Sequence, residues 1–270
     1  MPKSDSPRPA RIIAVANQKG GVGKTTTAIN VAAGMAEFGF KVLLIDLDPQ
    51  GNASTGLGIE VSDRNYTSYD LLFERVSMAD LIKDASVPNV SVCPATSELA
   101  SADIDFVASE KRSFLLHRAV RGEAVASLGF DYILIDCPPS LSFLTVNALV
   151  AAHSVLIPLQ SEFFALEGLS QLMLTIRDIR RTANASLRIE GVVMTMSDGR
   201  NRLSQQVEAD ARANLGNLVF NTTIPRNVRV SEAPSFALPV LAYDPASKGA
   251  EAYRNLTVEI VSRQHGDRAE

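Results

Sequence analysis

Gln18-Lys19-Gly20-Gly21-Val22-Gly23-Lys24-Thr25-Thr26 is the stretch of this 270-residue chain on which the fold turns. Upstream, Arg11 to Asn17 is a short apolar run; downstream, Thr25 to Phe38 carries apolar residues at Ile29, Val31, Ala32, Met35 and Phe38. The first has the length of a strand and the second the spacing of a helix, with the glycines as the turn between them. Glycine lets the backbone curl until successive N–H groups point at one anion, and the helix start adds its positive dipole end. Gly23-Lys24-Thr25 closes a phosphate-loop pattern in which the lysine reaches β- and γ-phosphate oxygens and the hydroxyl ligates Mg²⁺. The first glycine of that pattern is replaced by Gln18, and Lys19 brings an extra positive charge to the phosphates, of its own subunit or of a facing one. A dinucleotide Gly-x-Gly-x-x-Gly reading fails, because Lys24 stands where that turn has no cation and the spacing is absent.

Working outward, Gly39 ends the helix, and Lys41 to Leu47 is nearly continuous apolar, as expected of a parallel strand covered on both faces. Further short apolar runs lie at Val90 to Pro94, Tyr132 to Ile135, Ser154 to Leu159 and Ile189 to Thr195, mostly separated by helical spacing. Strands alternating with helices predict an α/β fold, a doubly wound and mostly parallel sheet flanked by helices. Leu166, Leu169, Leu172, Met173, Ile176 and Ile179 form one broad apolar helix face, and Lys248 to Ser262 a weaker last helix. With no internal repeat or linker, residues 11–264 read as one domain. Residues 1–10 read as a disordered, proline-rich tail and 265–270 as a polar one.

Two carboxylates close the second strand, Asp46 and Asp48, and residues two apart on a strand share a face, so both can look into the crevice at the strand ends. A carboxylate there can orient an attacking water while Mg²⁺ and lysines absorb charge on the phosphoryl oxygens. Asp136 ends Tyr132-Ile133-Leu134-Ile135-Asp136 and fits the Mg²⁺-side acid of such a site, with Pro138 and Pro139 stiffening the loop beyond.

Composition narrows the class. No run approaches the roughly 20 apolar residues of a membrane span; Asn147 to Leu159, the longest candidate, is broken by His153, Ser154 and Pro158. A soluble protein is expected. Cys93 and Cys137 sit far apart within apolar segments and read as buried thiols, not as a disulfide or metal framework. The net charge of −4 argues against wholesale polyanion binding, yet residues 177–229 hold nine arginines against five acids.

The sequence resembles the ParA/Soj chromosome- and plasmid-partitioning ATPases, within the deviant-Walker group that also holds MinD. The resemblance is carried by Lys19 to Thr27, by Asp46-Leu47-Asp48-Pro49-Gln50-Gly51-Asn52 and by Asp136-Cys137-Pro138-Pro139-Ser140. More specific still are Glu162-Phe163-Phe164-Ala165-Leu166-Glu167-Gly168 and the segment from Ile224-Pro225-Arg226-Asn227 to Ser235. It runs from about Arg11 to the final helix. It implies ATP and Mg²⁺ as cofactors, with Lys19 as the signature lysine reaching across an ATP-sandwiched homodimer. By the same resemblance Gly20, Gly21, Val22, Gly23, Lys24, Thr25 and Thr26 bind phosphate, and Thr25, Asp46 and Asp136 serve the metal. Asp48 positions the hydrolytic water, while Pro225 and Asn227 contact adenine. Non-specific double-stranded DNA is the implied partner of the ATP dimer, through Arg200 and Arg229, with Arg202 a further candidate. A ParB-type centromere-binding protein would stimulate hydrolysis, and a cytoplasmic, nucleoid-associated protein without a membrane partner is implied.

Three other readings compete. A MinD-like membrane-cycling ATPase needs a bulky apolar helix face at the chain end, which Val261 to Glu270 does not offer. An iron–sulfur reductase needs paired cysteines at a dimer axis, and Cys93 and Cys137 have no obvious place there. A metabolic phosphate-loop enzyme would call for a substrate motif that the chain does not display.

Overall fold

The computed structural model describes residues 9–105, 111–162 and 165–266, without the side chains of 165–167, 265 and 266. Eight strands form one sheet: β1 (Arg11–Val15), β2 (Val42–Asp46), β3 (Lys83–Asp84), β4 (Val90–Cys93), β5 (Tyr132–Asp136), β6 (Ser154–Gln160), β7 (Arg188–Ser197) and β8 (Val219–Pro225). Their order is β3-β4-β2-β5-β1-β6-β7-β8. Every pairing is parallel except that of the two-residue β3 with β4.

Side chains alternate across the sheet, and both faces are apolar. Ile13 and Val15 of β1 face α1 (Lys24–Glu37), whereas Ile12 and Ala14 join the core on the other side. On the central strand β2 both sets are fully buried, Val42 and Leu44 on one face, Leu43 and Ile45 on the other. Each such side chain contributes about 1.5–3 kcal/mol on removal from water, which is why a run without polar alternation forms a central parallel strand. Further along the chain lie the helices α2 (Asn52–Gly56), α3 (Phe143–Ala151), α4 (Ala165–Thr182) and α5 (Arg202–Leu215). After β8 come α6 (Val228–Glu232) and α7 (Lys248–Gly266), the latter packed against α1.

The doubly wound expectation is met, with two strands added. β3 is too short to leave a pattern, and β8 is an edge strand whose Asn221, Thr222 and Thr223 interrupt the apolar alternation. The last helix continues to Gly266, through the start of the predicted 265–270 tail. Residues 1–8 and 267–270 of the two predicted tails lie outside the described residues.

Candidate nucleotide site

Because the sheet is parallel, the carboxyl ends of β1, β2, β5, β6, β7 and β8 open on one edge, and every candidate site segment follows one of these ends. The turn after β1 is glycine-dependent: Gly21 and Gly23 have φ of 73° and 84°, in the left-handed region that glycine enters without a Cβ penalty. Gly23 is the N-cap of α1 and supplies no side-chain cap, so the first N–H groups of the helix stay directed at the turn. Lys24 Nζ folds back to donate to the Lys19 carbonyl at 3.0 Å. Two buried side chains hold the turn from outside. Asn17 accepts from Lys19 N–H at 3.0 Å and donates to the Pro158 carbonyl on β6 at 2.7 Å. Thr195 on β7 donates to the Val22 carbonyl at 2.8 Å. Lys19 itself projects away from the turn and pairs with Glu162 at 2.8 Å.

The aspartates divide into different roles. β2 ends at Asp46, so Asp48 lies in the turn beyond and not on a shared strand face as the spacing predicts; what joins them is the Asp48 N–H donating to Asp46 Oδ1 at 3.1 Å. Asp46 Oδ2 also accepts from Ser54 N–H at 2.9 Å and Ser54 Oγ at 2.7 Å. With both oxygens engaged by protein donors, Asp46 anchors the turn in the nucleotide-free chain. Burial, ahead of every other cause, raises its carboxyl to about 6. Asp136, in register beside Asp46 and Val15, is completely buried and neither of its oxygens has a hydrogen-bond partner of ordinary geometry. Burial pushes its carboxyl well above the usual range, with the Asp46 charge adding to this, while the nearby Thr25 hydroxyl and Lys24 ammonium pull the other way. A carboxylate held dry, unpartnered and beside a threonine hydroxyl fits a hard divalent cation. Desolvation likewise lowers the pKa of Lys24, and Asp136, Cys137 and Asp48 oppose that shift. Lys24, Asp136 and Asp48 therefore share one electrostatic neighbourhood.

Beside Gly23 and Thr26 lies a pocket of about 200 Å³, walled by Thr195, Ile224, Pro225, Asn227, Val230 and Tyr253 among others. Pro225 and Asn227 thus line a pocket that adjoins the phosphate turn. Asn227 also caps α6, its Oδ1 accepting from Arg229 and Val230 N–H. Met196, on the pocket wall, holds a left-handed φ of 51°, a strained backbone conformation of the kind found at ligand sites. A larger cleft, about 730 Å³, opens at the opposite edge, where Arg11, Arg212 and Arg263 pair with Glu190, Glu208 and Glu259. It contains no residue of the phosphate turn, so the smaller pocket is the one that adjoins that turn.

The basic candidates extend from the ends of β7 and β8, neighbouring strands. Arg200 has a 96% exposed side chain, 3.6 Å from Asp198, and Arg202, also exposed, starts α5. Arg229 is more restrained, held by Glu232 at 2.9 Å and Asp244 at 3.2 Å. Cys93 and Cys137 are buried, and desolvation drives both thiols upward. Phe163 and Phe164 of the matched segment lie outside the described residues. Among the described residues no helix is long and apolar enough to cross a membrane.

Sequence reasoning misses Asn17, Thr195 and Tyr253. Asn17 adjoins the turn, and that position is its available signal. Thr195 and Tyr253 lie 173 residues from Val22 and 226 from Thr27, their respective hydrogen-bonding partners, and nothing local connects them.

Residues 10–189 match the AAA domain family. The chromosome partitioning protein ParA of Caulobacter vibrioides is 51% identical over 265 residues, 98% of either chain. The sporulation initiation inhibitor protein Soj of Bacillus subtilis is 50% identical over 252 residues, 93% of this chain and 98% of that one. Among solved structures, cobyrinic acid a,c-diamide synthase of Mycobacterium smegmatis, with bound ATP analog and magnesium, superposes with a TM-score of 0.80 at 35% identity, covering 95% of this chain and 96% of the other.

Proposed function

The chain belongs to the ParA/Soj family of chromosome-partitioning ATPases, and on that premise we propose that it is an ATP-operated switch for moving DNA. In this reading it closes into a homodimer around ATP, binds double-stranded DNA without sequence preference in that state, and lets go on hydrolysis. The observation that carries the proposal is the meeting of Lys24, Asp48 and Asp136 beside a pocket walled by Pro225 and Asn227. The backbone N–H groups from Gly20 to Thr26 cradle the phosphates, and Lys24 leaves the Lys19 carbonyl to engage them. Asp136 and Thr25 hold Mg²⁺, which supplies charge neutralisation at the phosphoryl oxygens. Asp48 orients the attacking water.

Lys19 gives up Glu162 and reaches the partner subunit's phosphates. The pair is half exposed and worth no more than about 1 kcal/mol, so its release is a small cost. Arg200, Arg202 and Arg229 then neutralise DNA phosphates, a contact that weakens steeply with salt. Basal turnover is slow, and a ParB-type partner accelerates it. The family likeness at about half identity outweighs the weaker one to a metabolic enzyme.

The test is retention on random-sequence DNA with and without ATP and Mg²⁺. ATP-dependent retention that disappears in high salt is expected, and Asp48→Ala should stay bound because it retains ATP. Equal retention in both nucleotide conditions, or an Asp48→Ala variant that hydrolyses normally, would sink the proposal. ATPase rates with DNA and a ParB-type protein, separately and together, test the stimulation.

A further inference from the structure

Arg64 is nearly fully buried and takes no part in the proposed binding of nucleotide or DNA. It follows the single turn Val61–Asp63, and its guanidinium is directed wholly inward. Nε donates to the Ile59 carbonyl at 3.2 Å and Nη1 to the Ala95 carbonyl at 2.9 Å. Nη2 donates to Thr55 Oγ1 at 2.8 Å and to the Ile59 carbonyl at 2.7 Å. Its hydrogen-bond acceptors are all neutral and burial works against its charge, with the Asp46 and Glu60 carboxylates opposing that cost from nearby.

The acceptors show what the cation holds. Thr55 lies on α2 next to Ser54, which fixes Asp46 through its N–H and its hydroxyl. Ala95, just beyond β4, donates its N–H to the same Ser54 hydroxyl at 3.0 Å. Gly51 N–H closes the turn back to the Asp48 carbonyl at 2.9 Å. A Cβ on Gly51 would stand 2.3 Å from Arg64 Nη1 and 2.9 Å from the Ala95 carbonyl oxygen, so the turn rests directly on the guanidinium. One side chain thus touches both ends of the segment from Gly51 to Thr55 and ties it to the end of β4.

We infer that Arg64 is a positioning residue for hydrolysis, a clamp that holds the turn carrying Asp48 where its carboxylate meets the attacking water. The inference rests on the water-positioning role proposed for Asp48. A displacement of about 1 Å in such a group costs about a hundredfold in rate, without changing what holds the nucleotide.

The experiment uses the full chain as wild type, Arg64→Met, Arg64→Lys and Asp48→Ala. Active sites are titrated with a fluorescent, non-hydrolysable ATP analogue, and single-turnover hydrolysis is measured per titrated site from pH 6 to 9. Arg64→Met should bind the analogue within about twofold of wild type and hydrolyse at least about tenfold more slowly. Arg64→Lys should recover part of the rate at low pH and lose it as pH rises, since a buried lysine sheds its proton where a guanidinium does not. A role confined to fold stability would lower the titrated fraction and leave the rate per site, and its pH profile, untouched. If Arg64→Met does not fold, the pH limb of Arg64→Lys decides alone. Normal turnover per site in either Arg64 variant, or a parallel loss of nucleotide affinity, overturns the inference while an inactive Asp48→Ala leaves the reading of Asp48 standing. An Asp48→Ala variant with normal turnover overturns both.

Discussion

Replacing Asp136 with asparagine keeps the shape of the side chain and removes its charge, at a place where burial and the Asp46 charge outweigh what the Thr25 hydroxyl and Lys24 ammonium offer it. An unfolded chain ionises such a carboxyl above about 3.8, so the raised folded value costs the wild type stability as pH rises past it. The asparagine avoids this but leaves its own amide without partners, a penalty of about 1–3 kcal/mol. The nucleotide-free variant should therefore melt above wild type at neutral pH, by about 2–4 °C for each kcal/mol gained in a chain of this size. The sign follows from the direction of the shift. A carboxyl raised in the folded state contributes its stability in full below 3.8 and loses it as pH rises toward the folded value, so the gap should widen from acid to alkaline pH. Asp46, raised to about 6, adds to the gap as it ionises, because its charge opposes that of Asp136 and not a neutral asparagine. Mg²⁺ with a non-hydrolysable ATP analogue should reverse the order, since the wild-type carboxylate then has a cation and saturating ligand adds about 3 kcal/mol at a hundred times its Kd. Thermal melts from pH 5 to 8.5, with and without Mg²⁺ and analogue, measure all of this. A variant that melts below wild type without nucleotide, or a gap that stays flat with pH, would refute the account.

Lys19→Gln should leave nucleotide binding in the monomer and abolish ATP-dependent dimerisation, read by light scattering; Glu162→Gln, which breaks a half-exposed pair and weakens an exposed bond from Gln160, should shift dimer affinity by less than about fivefold. Arg200→Ala should weaken DNA binding alike on all sequences and lower the salt slope by about 1, measured by titration at several ionic strengths. Gly34→Ala places a Cβ 2.4 Å from Thr257 Oγ1, where α1 and α7 touch, and should cost about 1–3 kcal/mol in denaturant unfolding with no change in m.

The turn from Lys19 to Thr26 and the strands before Asp46 and Asp136 were legible because their signals are local: glycine spacing, and apolar runs too short and too continuous for anything but buried strands. The segment that walls the pocket beside the turn was legible only through the family likeness of Ile224 to Ser235, since β8 mixes Asn221, Thr222 and Thr223 with apolar residues and sits at the sheet edge. Spacing misled at Asp48, because strand periodicity continues in the sequence past the point where β2 stops. It was silent at Asp46, whose distinction from Asp136 depends on Ser54, a residue that becomes a donor only when α2 folds back over the strand end. Arg64 was equally invisible, as an arginine amid polar residues reads as surface until its acceptors are seen.

The pocket beside the phosphate turn is built from widely separated stretches of the chain: the turn ends at Thr26, while the walls come from Thr195 onward and finish with Tyr253. During synthesis the turn leaves the ribosome long before Thr195 can steady the Val22 carbonyl or Pro225 and Asn227 can enclose a base. In the proposed reading a growing chain therefore cannot enclose a base until residue 253 is in place, so the pocket is completed only near the end of synthesis.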